Sequence, residues 1–157
     1  MAMAMALPRG FEFTETMAGT YHLSGQPSEQ RRFSFTVTAH AEDLVRHLRD
    51  GMARLTGTLE MEGFADEVPL EGTIEIQPLT KKIIRYEFAF VGNDGEPYRF
   101  AGQKDIQYRH LMTSWTTLPG SVYDGRGEEI ARARTRFDAK NDLMPWLASF
   151  RLVGRPA

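Results

Sequence analysis

Two charged residues occupy positions where the chain's own pattern asks for apolar ones. Glu15 lies between Phe13 and Met17 on the apolar side of one alternating run. Lys104 lies between Gly102 and Ile106 on the apolar side of another. A buried, unpaired charge costs several kcal/mol or shifts its pKa until it is neutral. Opposite charges displaced inward on separate strands therefore invite pairing with each other. In a greasy interior such a pair would orient the polar end of a ligand, or act as acid and base. The bland alternatives are a buried salt bridge that holds strand register, or a β-bulge that turns either side chain outward.

Other residues gather around this pair in the sequence pattern. Tyr86, Tyr98 and Tyr108 fall on apolar faces, where a phenol is a core residue whose hydroxyl needs a partner. Trp115 shares its face with Thr113 and Thr117, so indole and hydroxyls together would line a cavity of mixed polarity. The competing reading is a tryptophan that plugs the core. Glu15, Lys104, Trp115, the three tyrosines, Thr113 and Thr117 make up the expected ligand-binding set. Glu15 and Lys104 are also the catalytic candidates.

Several chemistries find no support. His22, His40, His47 and His110 form no ligand spacing, and cysteine is absent, so no metal site is expected. No Gly-x-Ser-x-Gly elbow and no Gly-x-Gly-x-x-Gly fingerprint occurs, and no cofactor is expected. His40 falls where a strand meets a helix and reads as a surface cap. Arg132, Arg134 and Arg136 share one strand face and read as partners of acidic residues across neighbouring strands.

The elements that must position these residues are mostly strands. Period-two alternation runs through Phe11–Leu23, Phe33–Ala39, Ala53–Met61, Leu70–Gln77, Ile84–Phe90 and Tyr98–Tyr108. Further strands are expected over about Leu111–Val122 and Glu129–Phe137, and a last one around Ala148, Phe150 and Leu152. Gly92-Asn93-Asp94-Gly95 is strong hairpin chemistry. Ala41–Asp50 breaks the alternation, with Leu44, Val45 and Leu48 at helical spacing and Gly51 as a stop. Asp142–Trp146 suggests a short helical turn. Eight or nine short strands with almost no helix predict an all-β, antiparallel up-and-down barrel, since closure removes the edges of a long meander. A two-sheet sandwich is the second architecture. Glycines within strands on the apolar faces, at 19, 57, 72 and 102, mark bends or close backbone approach.

The chain's 157 residues suffice for a single domain, expected over residues 11–155. Met1–Ala6 alternates Met and Ala and reads as a disordered or cloning-derived start to a tail reaching residue 10. It lacks the basic and apolar regions of a signal peptide, which predicts a cytoplasmic protein. Nineteen basic residues face twenty-one acidic ones, for a net charge of −2. That balance argues against nucleic acid as partner. No apolar run is long enough for a membrane span. Oligomeric state is left open.

Phe13-Thr14-Glu15-Thr16-Met17-Ala18-Gly19, Gly102-Gln103-Lys104 and Trp115-Thr116-Thr117-Leu118 resemble a non-flavin, accessory segment of large bacterial cholesterol-oxidase-like oxidoreductases of the GMC type. The likeness covers residues 11 to 120 in pieces. The flavin-binding domain has no counterpart here, so the resemblance implies an accessory role near lipid or sterol oxidation, with an oxidoreductase as partner, and not oxidase activity. It places Glu15 and Lys104 inside its motifs. Gly19-x-Tyr21 is similar, more loosely, to the opening strand of lipocalin or calycin barrels. The leading expectation is a barrel that holds a hydrophobic small molecule, such as a lipid, sterol or polyketide-like compound. The alternatives are a cofactor-independent isomerase or cyclase in the same cavity, using Glu15 and Lys104, and an interaction domain whose core is filled.

Overall fold

A computed structural model describes residues 10–138, 148–149 and 151–153. The expectations for Met1–Ala6, for Asp142–Trp146 and for Phe150 lie outside the described residues. The chain forms strands β1 (Gly10–Leu23), β2 (Arg31–Ala41), β3 (Met52–Met61), β4 (Ala65–Gln77), β5 (Ile83–Val91), β6 (Pro97–Asp105), β7 (Thr117–Tyr123), β8 (Glu129–Arg136) and β9 (Arg151–Val153). Helix α1 (Leu44–Asp50) joins β2 to β3, and a 3-10 turn (Tyr108–His110) followed by α2 (Leu111–Thr116) joins β6 to β7.

Every strand pairs antiparallel with its sequence neighbour from β1 to β8, and β8 returns to pair with β1. The result is a closed eight-stranded up-and-down barrel, with β9 laid against the start of β1. Closure gives each of the eight strands a paired neighbour on both sides. The four short hairpins lie at one end of the barrel. α1, α2 and the β4–β5 turn lie at the other, called the helical end below.

Alternation decides what faces inward. Met17, Phe33, Phe35, Leu59, Phe88 and Phe100 are all but inaccessible to solvent. The phenylalanine rings interlock across the barrel centre, with Phe88 and Phe100 stacked at 4.8 Å between centroids and Phe35 edge-on to Phe88 at 5.2 Å. Room for the Phe100 ring comes from Gly102 and Gly120, since a Cβ at Gly120 would stand 2.4 Å from its ring. Toward the helical end the inward residues of β2 and β3 shrink to Ala39, Ala41 and Ala53.

Three expectations are corrected. The seventh strand begins at Thr117, not near Leu111, because Leu111–Thr116 is helical. Six residues of Leu, Met, Thr, Ser and Trp fit a short helix or a strand equally well, so periodicity cannot separate them. In α1 the apolar residues Val45 and Leu48 point to solvent, and the helix packs instead through His47, whose ring stands edge-on to Phe11 at 4.6 Å. The N-cap is Asp43, whose carboxylate accepts the Arg46 N–H at 3.1 Å, while His40 pairs with Glu12 on β1 at 3.0 Å.

Candidate functional site

Glu15 and Lys104 both point into the barrel, as alternation predicts, and are 8% and 3% exposed. They do not join in an ion pair. Among the described residues, the partner of Glu15 is Tyr86, whose hydroxyl donates to Oε1. β1 and β5 stand four strands apart in either direction round the ring of eight. The Tyr86–Glu15 hydrogen bond therefore crosses the interior from wall to wall. It lies on the helical side of the aromatic centre.

Local sequence places each member. Glu15 is opposite Val37 on β2. Tyr86 is opposite Gly102 on β6, and the missing side chain there leaves space beside the phenol. Lys104 is two residues further along β6, opposite Ile84. Its Nζ lies 5.2 Å from the centroid of the Tyr86 ring, within cation–π range.

The electrostatics follow from burial. The Tyr86 phenol is pushed well above its ordinary pKa, first by burial, then by the charge of Glu15 and the hydrogen bond to it. Burial pulls the Lys104 amine below the ordinary lysine value, and the charge of Glu15 offsets part of that. Among the described residues nothing accepts a hydrogen bond from Lys104 Nζ. The site combines a weakened ammonium, a phenol and a carboxyl at the apolar helical end of the barrel.

The other expected site residues are placed elsewhere, apart from Thr117. Thr117 is buried at the start of β7, at the helical end. Trp115 and Thr113 lie on α2 and are exposed, so neither lines the interior with Lys104. Tyr108 is exposed in the turn before α2, with the ammonium of Lys82 5.3 Å from its ring centroid. Tyr98 is inward at the hairpin end, where its hydroxyl donates to Asp94 at 2.6 Å. That bond and burial raise its pKa to about 12, while Asp94 is lowered chiefly by accepting the same bond. Reasoning from pattern grouped Tyr98 and Tyr108 with Lys104 because it had parity but no position along the barrel axis.

The arginine row is also corrected. Arg132 pairs with Glu129 on its own strand at 2.6 Å, and among the described residues Arg134 and Arg136 make no ion pair. Their cross-strand neighbours are Thr20 and Pro119, and Ala18 and Thr117, none of them acidic. Arg132 and Arg134 instead border a concavity of about 730 Å³ on the outer face, with Arg85, Gln103 and Ser121.

A feature that sequence reasoning missed is the rim of the helical end. Val45, Leu48, Leu79, Leu111, Met112 and Trp115 are large, apolar and exposed, and all sit there. No helix among the described residues is long and apolar enough to cross a membrane. No family model, curated protein or solved structure matches this chain.

Proposed function

We propose that the helical end of the barrel binds a small hydrophobic molecule whose single polar end meets Glu15, Tyr86 and Lys104. The observation that carries this reading is Lys104: a buried, inward ammonium to which, among the described residues, no hydrogen bond or ion pair is made. A buried cation left in that state is a standing cost, which a ligand's polar atom would offset. The small inward residues of β2 and β3, Ala39, Ala41 and Ala53, support the reading, since this end is lined less bulkily than the aromatic centre. The apolar rim supports it too, as a surface across which a hydrophobic molecule enters.

The ligand is a lipid, sterol or polyketide-like compound, and the domain serves lipid or sterol oxidation alongside an oxidoreductase. That part rests on the resemblance of the segments around Glu15 and Lys104. The packed aromatic centre argues against a ligand that threads the whole barrel. The ligand occupies the helical half.

The test is native mass spectrometry of the purified protein with organic extraction, followed by melting curves with sterols, fatty acids and fatty alcohols. A co-purifying hydrophobic molecule, or a compound that raises Tm in wild type but not in Lys104→Met, supports the reading. At a hundredfold excess over Kd the stabilisation is about 2.7 kcal/mol. An empty protein whose Tm none of the panel moves sinks it and leaves a filled interaction domain. Turnover lost in Glu15→Gln with binding retained would make the site an isomerase or cyclase.

A further inference from the structure

We propose that Lys104 captures a hydrophobic aldehyde or ketone as an imine at the helical end of the barrel. This rests on the ligand-binding reading above and names the ligand's reactive class.

The argument begins with what the site repels. A carboxylate ligand would meet the Glu15 side chain, and a cationic one would meet Lys104. A neutral polar end suits both, and a carbonyl group is neutral. An amine attacks a carbonyl only when its lone pair is free, so a lysine nucleophile must be uncharged and unencumbered. Among the described residues Lys104 Nζ makes no hydrogen bond or ion pair, and its contact is the Tyr86 ring, whose centroid lies 5.2 Å away. Its apolar setting, with Ile84 across the strand pair and Ile106 two residues on, favours the uncharged form.

Imine formation also needs groups that carry protons, and these border the amine. Lys104 Nζ lies over the Tyr86 ring, and the Tyr86 hydroxyl is bonded to Glu15. The nitrogen lone pair bonds to the carbonyl carbon, and the oxygen takes up the proton that nitrogen loses, giving a carbinolamine. The Glu15–Tyr86 pair then moves the second nitrogen proton to the hydroxyl. That group leaves as water while the carbon–nitrogen double bond forms. Amine and carbonyl become imine and water, with no oxidant or reductant.

The chain has four lysines. Lys81 is ion-paired with Glu75 at 3.0 Å, and Lys82 lies against the Tyr108 ring at the surface. Both are exposed where Lys104 is buried, so the comparison is internal to one protein.

The experiment treats the intact protein near neutral pH with octanal and sodium cyanoborohydride, then maps octylated lysines by peptide mass spectrometry. The expected result is octylation of Lys104 severalfold faster than of Lys81 or Lys82, in the direction set by its burial. In Lys104→Arg, with fold checked by circular dichroism, the fast adduct disappears. Equal or slower labelling of Lys104 in the wild-type protein overturns the proposal, whether or not the variant folds. Melting curves with 1-octanol separate the two readings. A raised Tm with no preference for Lys104 keeps the ligand site and removes the imine. No shift and no preference removes both.

Discussion

At the scale of single residues, the hydrogen bond between Tyr86 and Glu15 explains why a carboxyl sits on an apolar strand face. Removing one partner leaves the other buried and unsatisfied. Tyr86→Phe and Glu15→Leu are each expected to cost about 1–3 kcal/mol in urea unfolding. The double variant should cost clearly less than the sum, since neither partner is then stranded. Titration supplies an independent check. A phenol whose native pKa is raised keeps its proton where the unfolded chain has lost it. The stability from Tyr86 and Tyr98 is thus complete below pH about 10 and is lost as pH climbs from there through the native values. Lys104 works in the opposite direction. Its amine is lowered in the native state, so between the native value and pH about 10.4 the unfolded chain binds more protons and stability rises with pH. Wild type should therefore gain on Lys104→Met as pH rises through that window, measured by urea midpoints at fixed ionic strength.

At the scale of elements, glycines set how tightly the strands cross. A Cβ at Gly57 would stand 2.0 Å from the Thr36 carbonyl oxygen of the neighbouring strand, far inside contact distance. Gly57→Ala must push β2 and β3 apart, and is expected to cost about 3 kcal/mol or more, or to prevent folding. Circular dichroism and the yield of folded protein check it. The two helices are elements of another kind. α1 is closed at Gly51, which adopts a φ of 72° and donates its N–H to the His47 carbonyl at 2.6 Å. α2 is short, carries no side-chain cap, and turns its apolar residues outward. Both decorate the end of the barrel and contribute little to its core.

At the scale of the whole molecule, the two halves of the interior should answer differently to substitution. Phe35→Ala opens the packed aromatic centre and is expected to cost about 3–5 kcal/mol. Ala53→Val adds volume at the helical end. In the proposed site this is tolerated at about 1.5 kcal/mol or less, but it abolishes the Tm shift from a hydrophobic ligand. Trp115 stands at the rim, 42% exposed, so a ligand entering there should change its fluorescence, and Trp115→Phe should remove that change.

Much of this was already legible along the chain. Period-two alternation specified the strands, their inward faces and the misfit of Glu15 and Lys104, because a strand's side chains alternate whatever it pairs with. The hairpin at Gly92–Gly95 was equally local. Only the tertiary structure decided what Glu15 meets, since Tyr86 is 71 residues away and reaches it across a closed barrel. The same holds for Tyr98 and Tyr108, which share parity with Tyr86 but stand at the hairpin end and at the surface. It holds too for Trp115, whose six-residue helix has no period of its own and is set by where β7 begins to pair with β8. Alternation is a property of consecutive residues. Depth along the barrel axis and the identity of the opposite wall are properties of closure, which brings together residues that no local pattern links.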